Sequence, residues 1–164
     1  MAPGPSSVIS KAVIEEFAPR FLTDPAVLWV SESGAKVVAR DDALATQLKL
    51  RIAADRNLPD IILVDLGGTR NSELILIFVE VVATDGPVTE ERRRALLKIA
   101  TEAGFPANRV AFMTAYLDRS HPAFKRTIDQ LAWGSFAWFV AEPEHLIVLH
   151  DGKEQTIKSL GYWL

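Results

Sequence analysis

The segment Leu74-Ile75-Leu76-Ile77-Phe78-Val79-Glu80-Val81-Val82-Ala83 restricts more than any other what this chain can fold into. A run that is apolar at every position but one has no polar face. It reads as a central strand covered on both sides, in a sheet flanked by helices. The exception is Glu80. A carboxylate there is costly unless it pairs with a cation or metal ion, or reaches solvent where the strand ends. The strand alone leaves both readings open.

The other segments supply the rest of such a domain. Ser6 or Ser7 is placed to cap a helix reaching about Phe21, with Ile9, Val13, Ile14 and Phe17 along one side and Pro19 near its end. Ala26 to Val30, the turn Ser31-Glu32-Ser33-Gly34 and Lys36 to Ala39 read as a hairpin. Asp41 or Asp42 starts a second helix, predicted to about Arg56, with Leu44, Leu48 and Ile52 in register. Pro59 to Asp65 forms a strand joined to the Leu74 strand by the glycine-bearing loop from Gly67 to Ser72. Gly86-Pro87 ends the second strand, and Thr89 caps a helix through Glu102 that stops at Gly104. A strand from Arg109 to Tyr116, a short helix from Pro122 to Gln130, and strands Ser135–Val140 and Leu146–His150 complete the order. Asp151-Gly152 then turns the chain into its tail.

This succession predicts one α/β domain over residues 8–164, a mixed β-sheet flanked by helices, with residues 1–7 as a flexible arm lacking signal-peptide features. At 164 residues, one substantial core is the natural outcome. The chain has no Cys, which removes disulfides and thiolate metal sites and fits a reducing cytoplasm, the expected location. No apolar run approaches the roughly 20 residues that span a bilayer. The net charge of -3 argues mildly against a nucleic-acid partner, although metal-binding carboxylates would offset basic residues elsewhere.

Asp60 gives Glu80 a partner. If the loop sets Gly67 against Glu73, antiparallel pairing puts Asp60 directly across from Glu80. Opposed residues hold their Cβ atoms about 5 Å apart, close enough for two carboxylates to share a divalent ion. A hard cation such as Mg²⁺ would relieve their repulsion, polarise a phosphoryl oxygen and activate water.

Pro59-Asp60, 19 intervening residues and an acidic residue on an apolar strand resemble the PD-(D/E)xK nucleases. Longer segments resemble the BsuBI/PstI type II restriction endonuclease family more specifically. They are Glu15-Glu16-Phe17-Ala18-Pro19-Arg20-Phe21, Leu58-Pro59-Asp60-Ile61-Ile62-Leu63 and the stretch from Phe78 to Val88. Phe112-Met113-Thr114-Ala115-Tyr116, Ala132 to Trp138, and Glu142-Pro143-Glu144-His145-Leu146-Ile147 continue the similarity, which runs from about Ile9 to Gly152. The resemblance implies a restriction-endonuclease-like fold and Mg²⁺-dependent, site-specific hydrolysis of double-stranded DNA. It implies Asp60, Glu80 and the backbone carbonyl of Val81 as metal ligands. Cutting both strands makes a homodimer the natural assembly.

Two departures accompany it. Val82 stands where the wider superfamily carries a lysine two residues after the glutamate, a lysine that the resembled family also lacks, so the gap does not imply inactivity. Lys36 is the candidate to replace that charge, because Trp29-Val30-Ser31-Glu32-Ser33-Gly34-Ala35-Lys36 resembles a family segment ending in lysine, with Ser31 and Glu32 in place of Gly and Asp. An ordinary surface lysine is the other reading. Family members also carry an additional N-terminal domain.

Arg92, Arg93 and Lys98, on the helix after the Glu80 strand, are candidates for DNA phosphate contact. The competing reading is a solvated helix face balanced by Glu90 and Glu91. Thr84-Asp85-Gly86-Pro87 reads either as a groove-entering loop or as a plain turn. Glu15 and Glu16 are expected to face solvent. His121, His145 and His150 lack metal-ligand spacing, and Trp133 and Trp138 are expected in the core. Rival functions are a nuclease-like domain that has lost catalysis and serves binding, and a small-molecule α/β enzyme. The latter lacks a glycine-rich phosphate loop.

Overall fold

A computed structural model describes residues 4–32, 36–49, 58–67, 74–83 and 86–153. Its centre is a seven-stranded mixed sheet in the order β2-β1-β3-β4-β5-β6-β7. The strands are β1 (Pro25–Glu32), β2 (Lys36–Arg40), β3 (Ile61–Asp65), β4 (Ile75–Val81), β5 (Val110–Tyr116), β6 (Ser135–Phe139) and β7 (Leu146–Leu149). The helices are α1 (Pro5–Ala12), α2 (Ala18–Phe21), α3 (Asp42–Gln47), α4 (Glu90–Glu102) and α5 (Pro122–Thr127). Pairing is antiparallel from β2 through β4, parallel from β4 to β6, and antiparallel again between β6 and β7. The expected architecture is therefore the observed one, and β4 lies in the middle of the sheet.

Both faces of β4 are covered, as its composition requires. On one face Ile77, Val79 and Val81 meet Ile9, Val13 and Phe17 together with the fully buried Trp138. On the other, Leu76 and Phe78 pack with Leu96 and Ala100 of α4 and with Phe112. A third cluster, around Tyr116, Phe124 and Phe139, fills the space under α5. No helix among the described residues is long and apolar enough to cross a membrane.

Several local details differ from the sequence-based expectations. The first helix begins at Pro5 with Gly4 in the capping position, since proline is pre-set for a first helical turn. Between α1 and α2 the backbone widens into a π-helical segment, Val13–Phe17. Pro19 accounts for this: it has no N–H to donate, and its ring crowds the carbonyl four residues back. Helix α3 ends at Gln47, and Lys49 adopts a left-handed conformation (φ 57°), which interrupts the predicted run there. Its remainder, including Ile52 and Arg56, lies outside the described residues, as do Thr84, Asp85 and most of the Gly67–Ser72 loop. Trp133 is 67% exposed rather than buried. Ala132 is held by its N–H to the Val88 carbonyl and by the Ser135 hydroxyl, while Gly134 turns the chain at φ 81° and leaves the indole outside.

Asp65 closes β3 as a structural carboxylate. Its two oxygens accept the backbone N–H groups of Thr23, Asp24 and Gly67 at 3.0, 2.9 and 3.1 Å. Asp65→Ala would strand these donors and should lower stability by about 3 kcal/mol, measured by urea unfolding. A change within a few tenths of a kcal/mol would show that the clamp is replaceable by water.

Candidate active site

Asp60 and Glu80 meet where β3 begins and β4 ends. The observed pairs run from Asp65↔Ile75 to Ile61↔Val79. One further step in the same register sets Asp60 across from Glu80, the alignment that the Gly67–Glu73 pairing requires. The Val81 N–H donates to Asp60 Oδ2 at 2.8 Å, tying the first carboxylate to the strand that carries the second.

The segment that delivers Asp60 is anchored at three consecutive carbonyls. Leu58 O accepts from Arg92 Nη2 at 3.0 Å, and Pro59 O accepts from the buried Trp29 Nε1, also at 3.0 Å. Asp60 O accepts the Ser31 N–H at 2.8 Å. Trp29 and Ser31 thus act as supports for Asp60, a role the sequence did not announce. Their position on β1, beside β3, is what creates it.

Glu80 is only 7% exposed. It lies on the α4 side of the sheet, beside Thr114 in the parallel register with β5. The Thr114 hydroxyl accepts the Val88 N–H at 3.0 Å, which seats the start of α4 over this end of β4. Thr89 caps the helix by accepting the Arg92 N–H at 3.2 Å. Arg92 then reaches back, and its Nε donates to Glu80 Oε1 at 2.5 Å. Burial pushes the Glu80 carboxyl up to about 7; Arg92 opposes that rise, while the neighbouring Asp60, hydrogen-bonded to it, adds to it.

The donor set fits a hard divalent ion. Among the described residues no cluster of three or more acidic, His or Cys side chains occurs. Mg²⁺ needs no more than one or two carboxylates, completing its shell with water and substrate phosphate. Val81 adds a backbone oxygen. In an extended strand a residue's N–H and C=O point to the same edge. Because its N–H is directed at Asp60, its carbonyl faces that side too, beyond the first residue of β3.

The remaining candidates are dispersed. Lys36 opens β2 opposite Glu32, at the same end of the sheet but two strands from Asp60; its side chain lies outside the described residues. Arg93 pairs with Glu90 at 2.9 Å and lies over the Phe112 ring, and Arg94 also pairs with Glu90. Lys98 is exposed, 3.9 Å from Glu102. The solvated, acid-balanced face therefore describes Arg94 and Lys98; Arg93 is acid-paired but largely covered against Phe112, and Arg92 contacts the carboxylate site. Glu15 and Glu16 are exposed, as expected. Val82 is buried in the third cluster. Its N–H is bonded to the Ala115 carbonyl at 2.9 Å.

The sheet order and its flanking helices define a restriction-endonuclease-like fold. The structure of SdaI restriction endonuclease superimposes with a TM-score of 0.75 at 27% identity, covering 92% of this chain and 44% of that one. The chain belongs to the BsuBI/PstI restriction endonuclease domain family, which matches residues 1–152. The type II restriction enzyme BsuBI of Bacillus subtilis is 30% identical over 149 residues, 90% of this chain and 43% of that protein. The type II restriction enzyme AplI of Arthrospira platensis is 25% identical over 159 residues, 90% of this chain and 44% of the relative. The chain thus spans less than half the length of the relatives it matches.

Proposed function

We propose that this chain is the catalytic domain of a type II site-specific endonuclease that hydrolyses phosphodiester bonds in double-stranded DNA with Mg²⁺. The observation that carries the reading is the register that brings Asp60 and Glu80 together at the end of the central strand, in a chain of this family. Asp60, Glu80 and the Val81 carbonyl would hold the ion. When bound, it supplies Lewis acidity toward water and the phosphoryl oxygens. The protein's own part is positional. The three-carbonyl anchor fixes Asp60, and β4 and α4 fix Glu80, so neither carboxylate has to reorganise when substrate arrives. Lys36 is proposed to bring positive charge to the same end of the sheet, with Arg93 and Lys98 as outlying phosphate contacts. Cutting both strands calls for two such sites, hence a homodimer, with the cytoplasm as its setting.

A plasmid rich in short palindromes, incubated with the chain and Mg²⁺, is expected to be cut, with no cutting in EDTA. Asp60→Asn should abolish the activity. Unchanged cleavage by Lys36→Ala would remove that residue from the site. Val82, buried where a superfamily lysine would stand, favours the second reading, a domain that binds DNA without cutting it. That reading predicts metal-independent duplex binding and no cleavage by a form that also carries the remainder found in the longer relatives.

A further inference from the structure

Arg92 is in direct contact with the carboxylate site, and its geometry is that of a bridge. It sits in the third position of α4, fixed by the Thr89 cap. Its fork spans from Glu80 Oε1 to the Leu58 carbonyl, linking the strand that bears one carboxylate to the segment that bears the other. Its side chain is three-quarters buried and that of Glu80 nine-tenths buried, so water screens their interaction weakly. Two of its five N–H groups are used in these bonds, which leaves donors for a further acceptor.

Arg92 brings a positive charge into hydrogen-bond contact with the carboxylate that would bind the ion. A guanidinium already bonded to Glu80 repels an incoming cation, but its planar fork is well suited to a phosphate oxygen. We propose that Arg92 couples the two ligands: it weakens divalent-ion binding to the DNA-free protein and makes tight ion binding conditional on a phosphate of the DNA backbone. The inference rests on the metal-site reading above. Arg92 is in this sense a positioning residue, acting on the ion through Glu80 and the phosphate.

The test is Mg²⁺ binding by titration calorimetry to the 164-residue chain without DNA, followed by duplex binding with and without Ca²⁺ as a non-cleaving ion. Arg92→Gln should bind Mg²⁺ about tenfold more tightly than the wild type in the absence of DNA. The strengthening of duplex binding by Ca²⁺ should shrink by about the same factor. Arg92→Lys keeps the charge and should retain most of the wild-type behaviour, while Arg94→Gln, which removes an exposed charge paired with Glu90, should leave both quantities unchanged. If Arg92→Gln is folded and binds Mg²⁺ no more tightly than the wild type, the coupling is refuted and Arg92 is only a structural tie. If neither Mg²⁺ binding by Arg92→Gln without DNA nor the Ca²⁺ effect on duplex binding by the wild type is removed by adding Asp60→Asn, the metal site itself fails, and the coupling with it.

Discussion

Glu80→Gln is expected to make the metal-free protein more stable at pH 8, by about 2 kcal/mol, while reducing Mg²⁺-dependent DNA cleavage about a thousandfold. The stability gain follows from the sign of the Glu80 shift. Its carboxyl is raised from 4.5 to about 7, chiefly by burial, with the Arg92 guanidinium pulling the other way and Asp60 adding to the rise. A folded-state value above the unfolded one means that the folded protein binds more protons between these limits. The contribution from the neutral acid is fully present below pH 4.5 and is lost as pH rises through 7. Gln keeps the shape and cannot ionise, so the variant should lose this slope. Wild type and variant should be similar near pH 4.5 and diverge toward pH 8. Added Mg²⁺, which competes with the proton for Glu80, should stabilise the wild type more at pH 8 than at pH 5 and the variant little at either. Urea unfolding at several pH values, with and without Mg²⁺, measures all of this. A variant less stable than wild type at pH 8 would mean that the Arg92 bond outweighs the cost of burying the charge.

The juxtaposition of Asp60 and Glu80 was legible in the sequence because it depends on few choices. A doubly apolar strand can only be central, a glycine-bearing loop joins it to its neighbour, and one register then fixes which carboxylates face each other. The register is supported at the far end of β3 by the Asp65 clamp, which holds the strand against Thr23 and Asp24. The role of Arg92 was not legible. In sequence it sits inside Glu90-Glu91-Arg92-Arg93-Arg94, where neighbours three and four apart balance one another, and that is the fate of Arg93 and Arg94. The rotation of about 100° per residue turns Arg92 toward the sheet instead. Finding its partner requires knowing that the α4 crossover returns over the end of β4, a tertiary fact with no local signature. Trp133 shows the opposite failure: apolar neighbours suggested burial, but a single turn at Gly134 decided its exposure.

Val82→Lys, which would write the superfamily's missing lysine into this chain, should cost about 3 kcal/mol of stability and yield no faster cleavage per folded molecule. Residues 80 and 82 alternate onto the same face of an extended strand, so the sequence makes the substitution look like a simple restoration. The packing says otherwise. Glu80 faces the first turn of α4, whereas Val82, 4% exposed, is enclosed with Tyr116, Ala123, Phe124 and Phe139 under α5. A lysine there gives up a well-packed aliphatic side chain and must either lose its charge or thread toward solvent. The nearby opening is a groove lined by Pro87, Arg126 and Gln130, where Arg126 repels an ammonium group. The new charge would be drawn away from Asp60, and Arg92 would still occupy Glu80. Thermal unfolding together with cleavage rates corrected for the folded fraction tests both halves. A variant as stable as wild type, cutting DNA faster, would show that the lysine's position is merely vacated. The expected loss would instead mean that α5 has packed over it, leaving Arg92 as the cation held at Glu80.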